Sequence, residues 1–284
     1  MQPFNEKIIY ENPLVPMKIY LKKREVSWND WHYHKQIELL YIVNGKMDVL
    51  VDRQKYTLHN DDVVLIGANQ LHRDYSYTSE YIVFHFDPLQ YFDPSTLTYM
   101  NLFSGINVAL NELNYIFYEN PEAKRTVSQC IVDIYREAID KNYGYDMAIS
   151  LHIRRMLLAL LRSDRQQVLS SNNHVGLDRL KSVMDYIENH FTEKITVTEA
   201  SSIANISYSY FATYFKKVIG MTFVDYVNYH RIKLAERILL TEDISVEQIG
   251  EKIGMENTGH FYKMFRKFNQ CSPNDFRKKM TDFH

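Results

Sequence analysis

The C-terminal part of the chain contains one pattern twice, and a short helical unit present in only two copies leaves few folds open. Residues from Ile195 (ITVTEASSIANIS) align with those from Ile244 (ISVEQIGEKIGME) at an offset of 49. After one inserted residue the offset becomes 50, pairing Phe211 with Phe261, Phe215 with Phe265, Lys216 with Arg266 and Tyr226 with Phe276. Each copy predicts a short helix, a tight turn and a second helix with a basic C-terminal half. Thr198, Ser207 and Ser245 stand where caps or first-turn residues belong. Two copies are too few for a solenoid, which stacks about three or more. The spacing is that of two helix-turn-helix units.

Charge supports this only when it is placed. The chain has 33 Lys and Arg against 35 Asp and Glu, net −2, and residues 177–284 hold 15 basic against 14 acidic. The basic residues collect on the two second helices, as Lys216 and Lys217 and as Lys263, Arg266 and Lys267, and again at Arg277, Lys278 and Lys279. Phe211, Phe215 and Val218 in one copy, and Phe261, Met264, Phe265 and Phe268 in the other, predict an inward stripe. Ser209, Tyr210, Thr213 and Lys216, then Asn257, Thr258, Tyr262, Lys263 and Arg266, fall outside it. A single basic cluster on a helix is ordinarily a solvated face. Recurrence at the same place in both repeats favours a second helix that enters the DNA major groove.

The first part of the chain has another period. From Met17 to about Asp87 short alternating runs (MKIYLKKREV, IELLYIVNG, KMDVLVD, QKYTL, DVVLIGA, YIVFHF) predict strands separated by turns such as Asn44-Gly45 and Asn60-Asp61, a small barrel or sandwich. Beyond Pro94 the spacing turns helical, with Met147, Leu151, Leu158 and Leu161 on one side of a helix. Leu157, Leu158, Leu160 and Leu161 nearly encircle that helix, so part of it must be covered by the barrel or by another subunit. The expected organisation is a strand domain over 1–94 with an N-terminal arm, a helical coupling or dimerisation region over 95–163, a polar linker over 164–176 and the repeat domain over 177–284. The fold class is α+β and multidomain.

Several classes are excluded or disfavoured. Nine glycines, none clustered, cannot build a Rossmann or Walker phosphate loop. Two cysteines make no disulfide framework and suit a reducing compartment. No run reaches the roughly 18 apolar residues of a membrane span, and the N-terminus has no signal-like apolar stretch, so a cytoplasmic protein without membrane contact is expected.

One string carries chemistry in the strand region. In WHYHKQIELLYIVNG, His32, His34 and Glu38 stand as H-x-H-x-x-x-E with Gly45 seven residues on, and DDVVLIGANQLH ends in His72. Alternation puts His32 and His34 on one strand face, and a neighbouring strand could bring His72 alongside. Three imidazoles and a carboxylate suit Zn, Fe, Mn or Ni; the same groups equally line a polar pocket. His85, between Phe84 and Phe86, reads as a structural histidine. Trp28, Trp31, Tyr33, Tyr75 and Tyr77 offer flat faces for a ligand.

These two sets of residues resemble known families. From Leu177 to Lys279, SYSYFATYFKKVIGMTFVDYV, HRIKLAERILL, ISVEQIGEKIGM and HFYKMFRKFNQCSPNDFRK resemble the DNA-binding domain of the AraC/XylS regulators. From Met17 to Asp87, the two histidine strings resemble both motifs of the cupin barrel, which many such regulators carry as a ligand-binding domain. The resemblance implies base-facing residues at Ser209, Ala212, Thr213 and Lys216 and at Thr258, Gly259, Tyr262 and Lys263, with Lys217 and Arg266 beside them. It implies an effector pocket around Trp31, His32, His34, Glu38 and His72, no cofactor, and no metal; His32, His34, Glu38 and His72 are the residues that would hold one. Promoter DNA, a small-molecule effector such as a sugar, RNA polymerase and a second copy of the chain are the implied partners, in an activator with no catalytic activity. The rival is a metal-dependent cupin enzyme joined to a DNA-binding domain. Departures from the family are Met255 for a common Phe, Gln270 for a turn Gly, and Asp61, Gly67 and Asn69 at the Gly and Pro positions of the second cupin motif.

Overall fold

The computed structural model describes residues 4–12, 15–91, 99, 101–103, 109–169, 174–219 and 221–281. The chain divides into two compact units, 1–172 and 173–284.

The first unit is built on eight strands: β1 (Phe4–Asn5), β2 (Met17–Arg24), β3 (Ser27–Trp28), β4 (His32–Tyr33), β5 (Ile37–Val51), β6 (Gln54–Leu58), β7 (Val63–Ile66) and β8 (His72–Phe86). β5 and β8 pair antiparallel along their whole lengths, from Ile37 opposite Phe86 to Val51 opposite His72. β7 and β2 flank one half of this ribbon; β6, β3 and β4 flank the other, and β1 adds parallel to β4. Leu40 and Ile42 from one half meet Met47, Val49 and Val51 from the other in one interior cluster, so the sheet wraps into a cupin-like barrel.

Asn44-Gly45, expected to be a turn between two strands, lies instead inside β5, where the register shifts on both sides of it. Gly45 has φ +101°, and a Cβ there would lie 2.2 Å from the Thr78 carbonyl oxygen. An Asn-Gly pair signals left-handed backbone, which a bulge uses as readily as a hairpin turn. At two of the altered positions of the second cupin motif the backbone is left-handed: Asp61 and Asn69 have φ of 63° and 60°. These are side chains that tolerate the left-handed region best after glycine.

Alternation buries both faces of the central ribbon. Glu38, Leu40, Tyr81, Val83 and His85 point into the barrel, while Ile37, Leu39, Ile82, Phe84 and Phe86 point out to helices α1 (Tyr115–Glu119), α2 (Pro121–Asp140) and α3 (Tyr145–Ser163). α2 begins on Asn120, whose side chain accepts from the Ala123 amide, with Pro121 at its first turn. It buries Val127, Cys130, Ile131 and Ile134; α3 buries Ile149, Ile153, Met156, Leu157 and Leu160. Of the side carrying Met147, Leu151, Leu158 and Leu161, the first three are 70%, 62% and 42% exposed, whereas Leu161 packs against the core. The stretch read as a linker is ordered at its start. Asp164 accepts from the Val168 and Leu169 amides and from the Tyr115 hydroxyl, and Leu169 is in the core. Its end is already helix.

That helix is α4 (His174–His190), followed in the second unit by α5 (Val197–Ile203), α6 (Tyr208–Ile219), α7 (Phe223–Thr241), α8 (Val246–Lys252), α9 (Thr258–Asn269) and α10 (Pro273–Thr281). The repeat is exact down to its caps. Thr196, not Thr198, caps α5 in a capping box with Glu199, and Ser245 caps α8 in one with Gln248. Asn205 and Gly254, equivalent at the offset of 49, are the left-handed residues of the two turns. Phe211, Phe215 and Tyr226 are buried in one copy and Phe261, Phe265 and Phe276 in the other. Gln270, at the family's glycine position, has φ 58° and ends α9.

A three-residue segment after α4 joins the copies. Arg231 of α7 donates to the Phe191 and Glu193 carbonyls at 2.6 and 2.7 Å. Gly254 sits against Thr192 so closely that a Cβ would lie 1.9 Å from its carbonyl oxygen.

Candidate functional site

The long faces of α6 and α9 carry the expected contact residues. Ser209, Ala212, Thr213, Lys216 and Lys217 are exposed on α6, as are Gly259, Lys263 and Arg266 on α9; Thr258 and Tyr262 are half-buried. The inward aromatic stripe fixes which face remains outside, because helical residues three and four apart share a side. Ser207 and Asn257 cap these two helices through the Tyr210 and His260 amides, so Asn257 serves as a cap. Tyr262 accepts a hydrogen bond from Asn274 and packs against the core. Among the described residues, no salt bridge engages Lys216, Lys263 or Arg266, whereas Lys267 pairs with Asp225 of α7. Arg277, part of the expected basic patch, is half-buried and donates to the Ile244 carbonyl, so it holds α10 to the start of the second copy. The side chain of Lys279 lies outside the described residues.

In the barrel, His32 of β4, Glu38 of β5, His72 and His85 of β8, and His34 just before β5 come together, all buried. Pairing explains it: His32 is opposite His72, and Glu38 is opposite His85. Glu38 Oε2 lies 2.9 Å from His34 Nε2, 3.0 Å from His72 Nε2 and 3.7 Å from His85 Nε2. His85 was expected to be a structural histidine; the same two-residue alternation that predicted it also turns it inward, and only the strand register reveals Glu38 across from it.

The electrostatics are strained by burial and relieved by pairing. Burial works against the Glu38 charge, yet the histidine at 85 and hydrogen bonds from the surrounding rings hold its pKa well below the usual carboxylate value. Burial opposes a charge on His72, and the Glu38 carboxylate outweighs it and raises the pKa. His32 is lowered, by burial first and then by His72. The ligand atoms of His32, Glu38 and His72 lie within 4.8 Å of one another, as do those of His34, Glu38 and His85.

Beside this cluster is a cavity of about 160 Å³ lined by Tyr20, Lys22, Asp74, Tyr81, His32, Glu38 and His85, with Phe4 and Glu6 from the N-terminal segment. Phe4 stacks on the His32 ring at 5.6 Å. His34 and His72 reach the cavity only through Glu38. Trp31 does not line it: the Arg73 guanidinium lies 4.8 Å over the Trp31 ring and 4.5 Å over Trp28. Trp28, Tyr75 and Tyr77 form an outer aromatic row. Residues 73, 75 and 77 of β8 face out because 72, 74 and 76 face in. The tyrosines that do line the cavity, Tyr20 and Tyr81, had no local signal marking them.

A family model described as a helix-turn-helix domain matches residues 200–279, and one described as a cupin domain matches residues 20–84. The chain is similar to the uncharacterised HTH-type transcriptional regulator YdiP of Escherichia coli (strain K12), 25% identical over 273 residues, covering 90% of this chain and 84% of that protein. It is similar to the HTH-type transcriptional activator RhaS of Shigella sonnei (strain Ss046), 21% identical over 253 residues, covering 89% of this chain and 88% of that protein. Among solved structures, the C-terminal domain of the two-component response regulator yesN from Fusobacterium nucleatum is 29% identical, covering 35% of this chain and 98% of that one, with a TM-score of 0.34.

Proposed function

Since the chain belongs to the AraC/XylS family of transcription regulators, with a cupin domain ahead of its helix-turn-helix domain, we propose that it is a cytoplasmic activator, not an enzyme, that responds to a small polar molecule in the barrel. The observation that carries the DNA half is the repeat itself: equivalent helices α6 and α9 present equivalent basic faces on equivalent aromatic supports. No helix among the described residues is long and apolar enough to cross a membrane. Base contacts are assigned to Ser209, Ala212, Thr213 and Lys216 and to Thr258, Gly259 and Lys263, with Lys217 and Arg266 on phosphate and Tyr262 in a supporting place.

The test is selection of bound sequences from random DNA with the full-length protein, then titration of the winner. Lys263→Ala should weaken binding by about 1–3 kcal/mol and relax preference at one position. Arg266→Ala should weaken all sequences alike and lower the salt dependence by about one charge. Absence of any enriched sequence, or unchanged affinity in both variants, would overturn the assignment.

The effector fits a cavity whose carboxylates, lysine and tyrosine hydroxyls call for hydrogen-bonding groups, a sugar or another hydroxylated or cationic metabolite rather than a long apolar chain. Binding shifts the protein only if it favours one arrangement over another; the activated form then recruits RNA polymerase. Pairing of two chains is assigned to the exposed face of α3, where Met147, Leu151 and Leu158 stand in line. Sedimentation should show a dimer that Leu151→Glu converts to monomer, with DNA affinity falling at least tenfold through lost effective concentration. A wild-type monomer, free and on DNA, would refute it.

A further inference from the structure

We propose that two copies of the chain pair with the tip of each α2–α3 hairpin seated in a groove of the other, Tyr143 filling the groove and Asp140 meeting Arg125. This rests on the pairing assigned above and names what that pairing engages. Lys141 and Gly144 are left-handed, with φ of 48° and 83°, and turn the chain back within residues 141–144. The Tyr145 amide donates to the Asn142 carbonyl at 2.9 Å and the Lys141 amide to the Glu137 carbonyl at 3.0 Å, so the turn is fixed at both ends. Tyr143 stands out from it fully exposed, with Ile139 and Met147 also exposed, four residues to either side. A ring so exposed does little for its own fold, and a rigidly held aromatic loses little freedom when a partner covers it.

The receiving surface lies at the other end of the same helix. A groove of about 340 Å³ runs along the start of α2, lined by Pro121, Arg125, Gln129 and Val132 on the helix and by Tyr41 and Asp61 on the barrel. Its charge suits the tip. Lys124 also lines it and pairs with Asp62 at 2.5 Å, and the Asp61 carboxylate accepts from the Tyr41 hydroxyl at 2.7 Å. Among the described residues no salt bridge engages Arg125. The tip carries Glu137, Asp140 and Asp146 against Lys141, and Asp140 is likewise in no salt bridge among the described residues.

Symmetry brings the two together. α2 and α3 run antiparallel from the short turn. The exposed Met147 and Leu158 of α3 are centred on a level that corresponds to Val132 on α2. A two-fold axis crossing the hairpin there lays Met147 against Leu158 of the partner subunit, an isologous contact. At about 1.5 Å per residue, Arg125 lies about 11 Å from that level in one direction and Asp140 about 11 Å in the other. The same axis therefore sets Arg125 beside the partner's Asp140, and Tyr143, just past the helix end, reaches the partner's groove between Pro121 and Arg125. A contact that is reciprocal in this way closes at two chains. Tyr41 belongs to β5, the strand that also carries Glu38, so the seated tip touches the wall of the effector barrel.

The test is sedimentation equilibrium of the full-length protein, with the melting temperature of the dissociated chain as the control for folding. Tyr143→Ala should weaken the dimer about tenfold or more and leave that temperature unchanged, since the ring is fully exposed in a single chain. Arg125→Glu and Asp140→Arg should each weaken it about tenfold, and the double variant should recover most of the loss, which damage to the fold could not do. A wild-type monomer would overturn both the pairing and this contact. A wild-type dimer that tolerates Tyr143→Ala, or charge reversals that the double variant fails to restore, would overturn the contact alone and leave the pairing on α3 standing.

Discussion

Replacing Gly254 with alanine should destabilise the helix-turn-helix unit by about 3–5 kcal/mol and remove DNA binding with it. Two costs combine there. A left-handed φ of 72° disfavours any Cβ by roughly 1–2 kcal/mol. The new atom would also stand 1.9 Å from the Thr192 carbonyl oxygen and 2.7 Å from its carbon, backbone that Arg231 clamps on either side. Gly144 separates the two costs. Its φ is 83°, yet nothing lies within 4 Å of where its Cβ would be, so Gly144→Ala should cost only about 1 kcal/mol. Both tryptophans, Trp28 and Trp31, belong to the first unit. Urea unfolding followed by tryptophan fluorescence therefore reports that unit, while circular dichroism reports both. Gly254→Ala should move only the dichroism transition. A loss below 1 kcal/mol would mean that the segment after α4 yields.

Acid should weaken the same unit by about 3 kcal/mol between pH 6.5 and 4, and His230→Phe should abolish that dependence. His230 of α7 lies among Phe191, Tyr226 and Tyr229, with its Nε2 buried and unpartnered. Burial lowers its pKa to about 4. The unfolded chain titrates near 6.5, so between these values it binds more protons than the folded one. Stability from this residue is therefore complete above pH 6.5 and falls as pH drops toward 4; a difference of about 2.5 units corresponds to about 3 kcal/mol. Phenylalanine keeps the ring contacts and removes the titration. An unchanged acid slope in His230→Phe would assign the effect to other groups.

The sequence made the repeat unit legible because both copies bury aromatics at equal spacing and cap with hydroxyl residues. What it hid was a matter of partners. Periodicity on α3 showed that Met147, Leu151 and Leu158 share a face, but leucine on two faces cannot tell which one meets the sheet. Asn44-Gly45 announced left-handed backbone without saying whether the strand ended. Trp31 adjoins His32 in sequence yet lies outside the cavity, because neighbours along a strand face opposite ways. His85, Tyr20 and Glu6 reached the barrel site through strand pairing, and pairing of distant segments leaves no mark in a single sequence. Arg277 reads from sequence as part of a basic cluster, because its carbonyl partner lies 33 residues away.

The segment from Phe191 to Glu193 is gripped by α7 through Arg231 and by the turn of the second copy through Gly254. With α7 running unbroken from Phe223 to Thr241, the two reading heads are mounted on a ruler of set length. The spacing of the DNA segments they read is then dictated by the protein. One extra base pair between those segments displaces the second by about 3.4 Å and turns it by about 34°. A ruler cannot stretch to follow, so the double helix must bend or untwist, and stiff tracts between the two segments should be the ones that promoters avoid.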